Sequence, residues 1–158
     1  MGPETEKPEM SELFKKAETK LELFNLLVGA HGFKKEGVQN GHGMTLVVTS
    51  PRYGGGYVAF LAPRDEPWLM TRMICDDDGW RFVAERFEWF PVTEGDTPMS
   101  AFSNLAKLLN RLPQDEDTLW KWGADVHSIV HRLESYQETE RYYAPLDEYN
   151  DRDYLSKT

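Results

Sequence analysis

Two histidines and a glutamate in the stretch HSIVHRLE have the types and spacing that best suit metal binding in this chain. His127 and His131 lie four positions apart and Glu134 follows, so on an α-helix all three share one face. Imidazoles and carboxylates bind divalent transition metals, but the zinc-protease pattern needs a glutamate where Ser128 stands. The sequence therefore favours a polar helix flank with two surface histidines over a metal site.

A further histidine, His42, lies in the glycine-rich segment GVQNGHGM. A flexible loop could expose its imidazole for acid–base catalysis or add it to a metal site. The local order of a helix, the tripeptide HGF, a strand and a Gly-His turn resembles the small toxin-type mRNA interferases, which implies RNA cleavage. The serine that precedes the histidine in that family is missing here, and no membership is assigned. Asn-Gly at 40–41 favours a hairpin turn.

The stretch ICDDDGW combines the only cysteine, Cys75, with three consecutive aspartates. A calcium loop of the EF-hand type places its ligands at alternating positions, whereas Asp76, Asp77 and Asp78 are contiguous. Asp-Gly is a strong hairpin signal, so this segment is predicted to be a turn between two strands. A single cysteine allows no intramolecular disulfide and no cysteine-based zinc cage.

No other pattern indicates catalysis or a cofactor. The glycines have neither the phosphate-loop nor the dinucleotide-binding spacing, and no serine lies in a nucleophile elbow. The sequence therefore favours a protein that is not an enzyme, and it predicts no cofactor.

Arginines and aromatic residues are interleaved in the segment predicted to form the sheet. This combination grips single-stranded nucleic acid in some proteins and dominates the hot spots of protein interfaces in others. The net charge of −9 disfavours nucleic acid and anionic membranes as partners. A protein partner is therefore predicted, and a solvated face of paired charges is the alternative. The candidate binding residues are Arg72, Arg81, Arg86, Trp68, Trp80 and Trp89.

Residues 142–158 are acidic and rich in tyrosine, and they are predicted to form an extended tail. Tyr143, Tyr149 and Tyr154 are added to the candidate binding residues. Such a segment can dock on its own domain, exchange with a neighbour, contact a partner or stay disordered.

The helices and strands that position these residues are predicted from hydrophobic periodicity and from capping and turn residues. Residues 1–10 are predicted to be disordered, and 11–141 to form a single α+β domain. A helix is expected from the N-cap Ser11 to Gly29 or Gly32. Further helices are expected from Thr97 to Pro113 and from 114–118 onward. Strands are predicted at 33–38, 44–50, 57–62, 68–75 and 80–90.

The strand predicted at 80–90 has an irregular pattern. Trp80, Phe82 and Ala84 share one parity, whereas Phe87 and Trp89 have the other, so a bulge is needed to bring both sets to one side. The predicted fold is α+β, with a four- or five-stranded antiparallel sheet. One N-terminal and two C-terminal helices pack on one face of that sheet.

The leading functional hypothesis is a non-enzymatic protein-binding module, such as an adaptor, a chaperone or an inhibitor. It would use the arginine and aromatic surface, the acidic tail, or both. One alternative is a small-ligand-binding domain; another is a metal-dependent or nucleic-acid-processing domain that uses His42, His127 and His131. Without a signal peptide or a long apolar run, a cytoplasmic location is expected.

Overall fold

Four α-helices and a three-stranded antiparallel sheet form the described part of this chain, which comprises residues 2–31, 43–51, 55–64, 71, 79–135 and 146–156 of a computed structural model. In chain order the elements are α1 (Gly2–His31), β1 (Met44–Thr49), β2 (Tyr57–Pro63), α2 (Gly79–Arg86), β3 (Val92–Gly95), α3 (Pro98–Arg111), α4 (Glu116–Ser135) and a 3-10 helix at Asp147–Tyr149. The predicted α+β class and antiparallel sheet are confirmed, but not the four or five strands. None of the described helices is long and apolar enough to span a membrane.

The hairpin of β1 and β2 matches its prediction. β-branched and apolar residues in both segments favour strands, and the register runs from Met44 opposite Pro63 to Thr49 opposite Val58. Gly56 precedes β2 with a φ of +85°, and a Cβ there would lie 2.9 Å from the carbonyl oxygen of Gly95 in β3. Glycine is therefore needed both for the backbone angle and for the close approach of β3.

β2 is the central strand, between β1 and β3. Successive residues of a strand point to opposite faces, yet every residue from Val58 to Ala62 is almost fully buried. One face lies against α3, since a Cβ on Gly95 would clash with Ser100 and Ala101. The central strand is therefore covered on both faces, whereas Leu46 and Val48 of the neighbouring strand β1 are exposed.

The prediction of a strand at 80–90 is wrong, because residues 79–86 form α2. Trp80, Val83, Ala84 and Phe87 follow the three-and-four spacing of a helix face. The backbone N–H of Phe87 donates to the carbonyl of Val83 at 2.8 Å, and both side chains are buried. The change of parity, which a strand could accommodate only with a bulge, therefore results from the helical spacing of these residues.

The second strand of the hairpin predicted at Asp76–Asp78 is not formed, because the residues that follow form α2. The aspartates themselves lie outside the described residues. The strand predicted at 33–38 also lies outside them, as does the one at 68–75 apart from Thr71. β3, at Val92–Gly95, is a strand that the sequence does not predict. Four residues that include a glycine are too short to show an alternating pattern.

α1 begins at Gly2 rather than at the predicted Ser11, so the structure places residues 2–10 in the helix. Three of these nine residues are glutamate, which is a good helix former. Polar side chains fasten the helix to the rest of the molecule. Lys20 donates to the carbonyls of Asn110 and Leu112 at the end of α3, and Asn25 accepts from the N–H of Met44 at 3.0 Å.

The two C-terminal helices begin where their capping residues predict. Thr97 and Ser100 form a capping box at the start of α3, with Pro98 at its first position. Asp115 accepts hydrogen bonds from the N–H and the hydroxyl of Thr118 before α4. Those bonds lower the pKa of the Asp115 carboxyl, because they favour its ionised form.

The crossing of α1 and α4 depends on Gly123. The ring of Phe24 meets the indole of Trp122 edge-on, with centroids 5.7 Å apart. A Cβ on Gly123 would overlap with three carbons of the Phe24 ring, all of which lie well inside the van der Waals contact distance. Glycine at this point of α4 therefore lets the two helices approach closely.

We expect Gly123→Ala to lower the free energy of unfolding by about 1–3 kcal/mol, because the added methyl overpacks a filled contact. Without the contact, alanine would stabilise a helix interior by up to about 1 kcal/mol relative to glycine, so the sign of the change is diagnostic. Urea unfolding measures it, with Gly55→Ala as a matched control because no atom lies within 4 Å of a Cβ there. An unchanged or higher stability of Gly123→Ala would contradict the described crossing.

Candidate functional site

The candidate site is formed where residues 146–156, here called the docked tail, lie against the remainder of the described chain, here called the body. Two turns fold the tail back on itself: the N–H of Asn150 donates to the carbonyl of Asp147, and that of Arg152 to the carbonyl of Tyr149. The apolar side chains of the tail are buried, namely those of Leu146, Tyr149, Tyr154 and Leu155. Of the behaviours open to this segment, the structure therefore shows docking on its own domain.

Aromatic contacts join the tail to the turn that follows α2. Tyr149 meets the ring of Phe87 edge-on, with centroids 6.3 Å apart. Tyr154 meets Trp89 in the same way at 5.1 Å. Edge-to-face pairs at these separations add to the stabilisation that comes from burying the rings. The main chain of Trp89 is itself fixed, because its carbonyl accepts a hydrogen bond from the Trp122 indole at 2.9 Å.

Charged side chains of the docked tail and of the body surround the aromatic contacts. Arg86, at the end of α2, binds the carboxylate of Asp147 and the side-chain oxygen of Asn150. Arg132 of α4 binds Glu148, and its guanidinium carbon lies 5.3 Å from the centroid of the Tyr149 ring. These ion pairs are partly exposed, so each contributes little to stability by itself. The positions of Arg86 and Arg132 favour acidic side chains at the facing positions of the tail.

Asp125 of α4 holds the far end of the tail. Its carboxylate accepts from the hydroxyl of Tyr154 and from Nε of Arg152 at 3.1 Å. Burial raises the pKa of Tyr154, and the hydrogen bond to Asp125 raises it further, because both disfavour the tyrosinate. The same carboxylate raises the pKa of Arg152. Asp125 is thus the acceptor for two donors of the tail.

A surface cleft of about 320 Å³ opens beside the docked tail, and we call it the arginine groove. The groove is lined by Glu85, Arg86, Phe87, Glu88, Trp89, Arg111, Asn150, Arg152, Asp153 and Leu155. Arg111, in the last turn of α3, donates to the carbonyl oxygen of Ser156 from Nε at 3.4 Å and from Nη2 at 3.1 Å. Within the described part of the chain, its guanidinium therefore contacts a neutral oxygen and no carboxylate.

The structure brings four of the nine predicted binding residues together: Arg86, Trp89, Tyr149 and Tyr154. They meet at the tail rather than on a sheet face, and all but Arg86 are buried. Arg81 lies apart from them on α2, where its guanidinium is 3.8 Å from Glu94. The side chains of the remaining four, Trp68, Arg72, Trp80 and Tyr143, lie outside the described residues.

The sequence predicts both histidines on a polar surface flank of α4, and the burial of His127 contradicts this prediction. His127 is only 3% exposed, and His131 is half-buried. α4 has a second buried stripe, in which Trp120, His127 and Val130 follow helical spacing. His42 and the side chain of Glu134 lie outside the described residues, and among the residues that are described no group of three suitable side chains could hold a metal ion.

Several residues of the site are not among the predicted ones, chiefly Arg111, Asp125, Arg132 and Arg152. Each lies on a helix or in the tail at a position that looks solvent-exposed by periodicity alone. A signal is present in the tail, because acidic residues and Arg152 are interspersed there with leucine and tyrosine. Such a pattern is typical of a segment that makes apolar and ionic contacts together.

No protein-family model matches the chain, and comparisons with curated proteins and with solved structures gave no match. Its function is therefore inferred from the geometry of the site.

We expect Tyr154 to ionise at higher pH than an ordinary tyrosine, whose pKa is about 10. A folded-state pKa above the unfolded value stabilises docking below about pH 10, and this stabilisation is lost as the pH rises through the folded pKa. Absorbance at 295 nm in wild type and Tyr154→Phe isolates this group. In Asp125→Asn the carboxylate charge is gone, so the pKa of Tyr154 should fall. An ordinary pKa in wild type would contradict the described contacts.

Proposed function

We propose that this chain is a non-enzymatic protein-binding module whose contact surface is the arginine groove together with the edge of the docked tail. The observation that supports this most is the guanidinium of Arg111, which lines the groove and contacts only a carbonyl oxygen among the described residues. A planar guanidinium has five donors in a fixed geometry that fits carboxylates. Arg111 therefore retains donors for a partner's acidic side chain.

The composition of the groove fits a protein partner. Arginine and tryptophan are enriched at the centres of protein interfaces, and here Arg86 and Arg111 line a cleft with Trp89. Glu85 and Glu88 line the same cleft, so the groove presents both signs of charge. With a net charge of −9 on the whole chain, the surrounding field opposes polyanions such as nucleic acid.

The second candidate is a small-ligand-binding domain that takes an anionic compound. The volume of the groove, about 320 Å³, lies at the lower end of the range for small-molecule sites. Three arginines line it, and a carboxylate or phosphate group would fit their donors.

The test compares tagged full-length wild type with Arg111→Glu in affinity purification from native cells, followed by direct binding to the purified partner. We expect the charge reversal to weaken the partner's affinity at least tenfold, as for a hot-spot arginine. Arg64→Glu is the matched control, because this arginine is exposed at the end of β2 and does not line the groove.

Equal binding by wild type and Arg111→Glu would contradict the proposal. Absence of any partner, with thermal stabilisation of wild type but not of Arg111→Glu by small carboxylates or phosphates, would favour the ligand-binding alternative.

A further inference from the structure

We infer that the body surface beneath the docked tail accepts an acidic, tyrosine-containing segment of a partner protein in place of the tail. This inference rests on the proposed function and names the chemistry of the partner. It concerns the surface that Arg86, Arg132, Phe87 and Trp89 present to the tail. Arg86, Phe87 and Trp89 also line the arginine groove, so the two surfaces share this edge.

The tail is attached to the body in the manner of a peptide ligand. Within the described residues, one backbone–backbone hydrogen bond joins the two, from the N–H of Ser156 to the carbonyl of Arg111 at 3.0 Å. The other backbone hydrogen bonds of the tail close its own turns at Asn150 and Arg152. Attachment therefore depends on side chains, and another segment with the same side chains can reproduce it.

The contacts of the tail define what such a segment must carry. Two consecutive acids, Asp147 and Glu148, bind Arg86 and Arg132. The tyrosine that follows, Tyr149, packs on Phe87 beneath the guanidinium of Arg132. A second aromatic residue packs on Trp89, and a leucine follows it, as Tyr154 and Leu155 do in the tail. The partner segment thus has acids, then a tyrosine, and an aromatic-leucine pair further on.

The ion pairs of the tail are accessible to a competitor. The side chains of Asp147 and Glu148 are 63% and 51% exposed, and that of Arg132 is 40% exposed. A partner's carboxylates can therefore contact these arginines before the buried rings of the tail separate from the body. Exchange then proceeds from the ionic edge of the surface to its aromatic centre.

The experiment uses the full chain and a fluorescent peptide of residues 145–158, with binding followed by anisotropy. Tyr149→Ser/Tyr154→Ser removes the rings that hold the tail while leaving the body unchanged, and far-UV circular dichroism checks that the helices persist. We expect the peptide to bind this variant at least tenfold more tightly than wild type. A peptide with serine in place of both tyrosines should not bind.

The arginines supply the second comparison. Adding Arg86→Glu/Arg132→Glu to the loosened variant should weaken peptide binding at least tenfold, whereas adding Arg64→Glu should not. Should the loosened variant fail to fold, Asp147→Ala/Glu148→Ala replaces it, because these side chains are exposed and their loss leaves the apolar contacts in place. We expect the peptide to bind this variant more tightly than wild type as well.

Equal binding of the peptide to wild type and to the loosened variant, or no binding to either, would overturn the inference. A dimer of the loosened variant in light scattering would overturn it as well, because the occupant would then be a second copy of the chain. Either result leaves the proposed function standing if Arg111→Glu still loses its partner, so the two can fail separately.

Discussion

The close approach of α1 to α4 at Gly123 is the constraint on which the rest of the described structure depends. Because that residue has no side chain, Phe24 can meet the Trp122 indole edge-on. The indole then donates to the carbonyl of Trp89 and fixes the turn between α2 and β3. The ring of Trp89 is the surface that Tyr154 meets. A glycine at one helix crossing therefore helps to determine where the tail docks.

Local signals in the sequence predict those elements whose ends are marked by particular residues. Thr97 and Pro98 define the start of α3, and the β-branched and apolar residues of β1 and β2 predict the two strands of the hairpin. α2 is mistaken for a strand because Val83 and Phe87 fit both periods over a short window. Only the tertiary packing of this segment decides between them, and no local pattern reports that packing.

The candidate site is predictable in its residue types but not in its environment. The sequence predicts Arg86, Trp89, Tyr149 and Tyr154 as residues that bind a partner, and the structure shows them in contacts between the tail and the body of the same chain. The sequence cannot tell whether their partner is another protein or the same chain. His127 illustrates the same limit, since its burial arises from a second face of α4 that becomes covered only in the folded molecule.

A tether gives the tail an advantage over any competitor, because a segment on the same chain has an effective concentration in the millimolar range. A partner that merely copied the tail would therefore displace it poorly. The arginine groove lies beside the tail and offers Arg111, whose contact in the docked state is to the Ser156 carbonyl. A partner that places a carboxylate there gains a charged contact that this carbonyl does not provide. In the exchange that we propose, the groove and the surface beneath the tail form one binding site, and the groove supplies the difference in affinity that exchange requires.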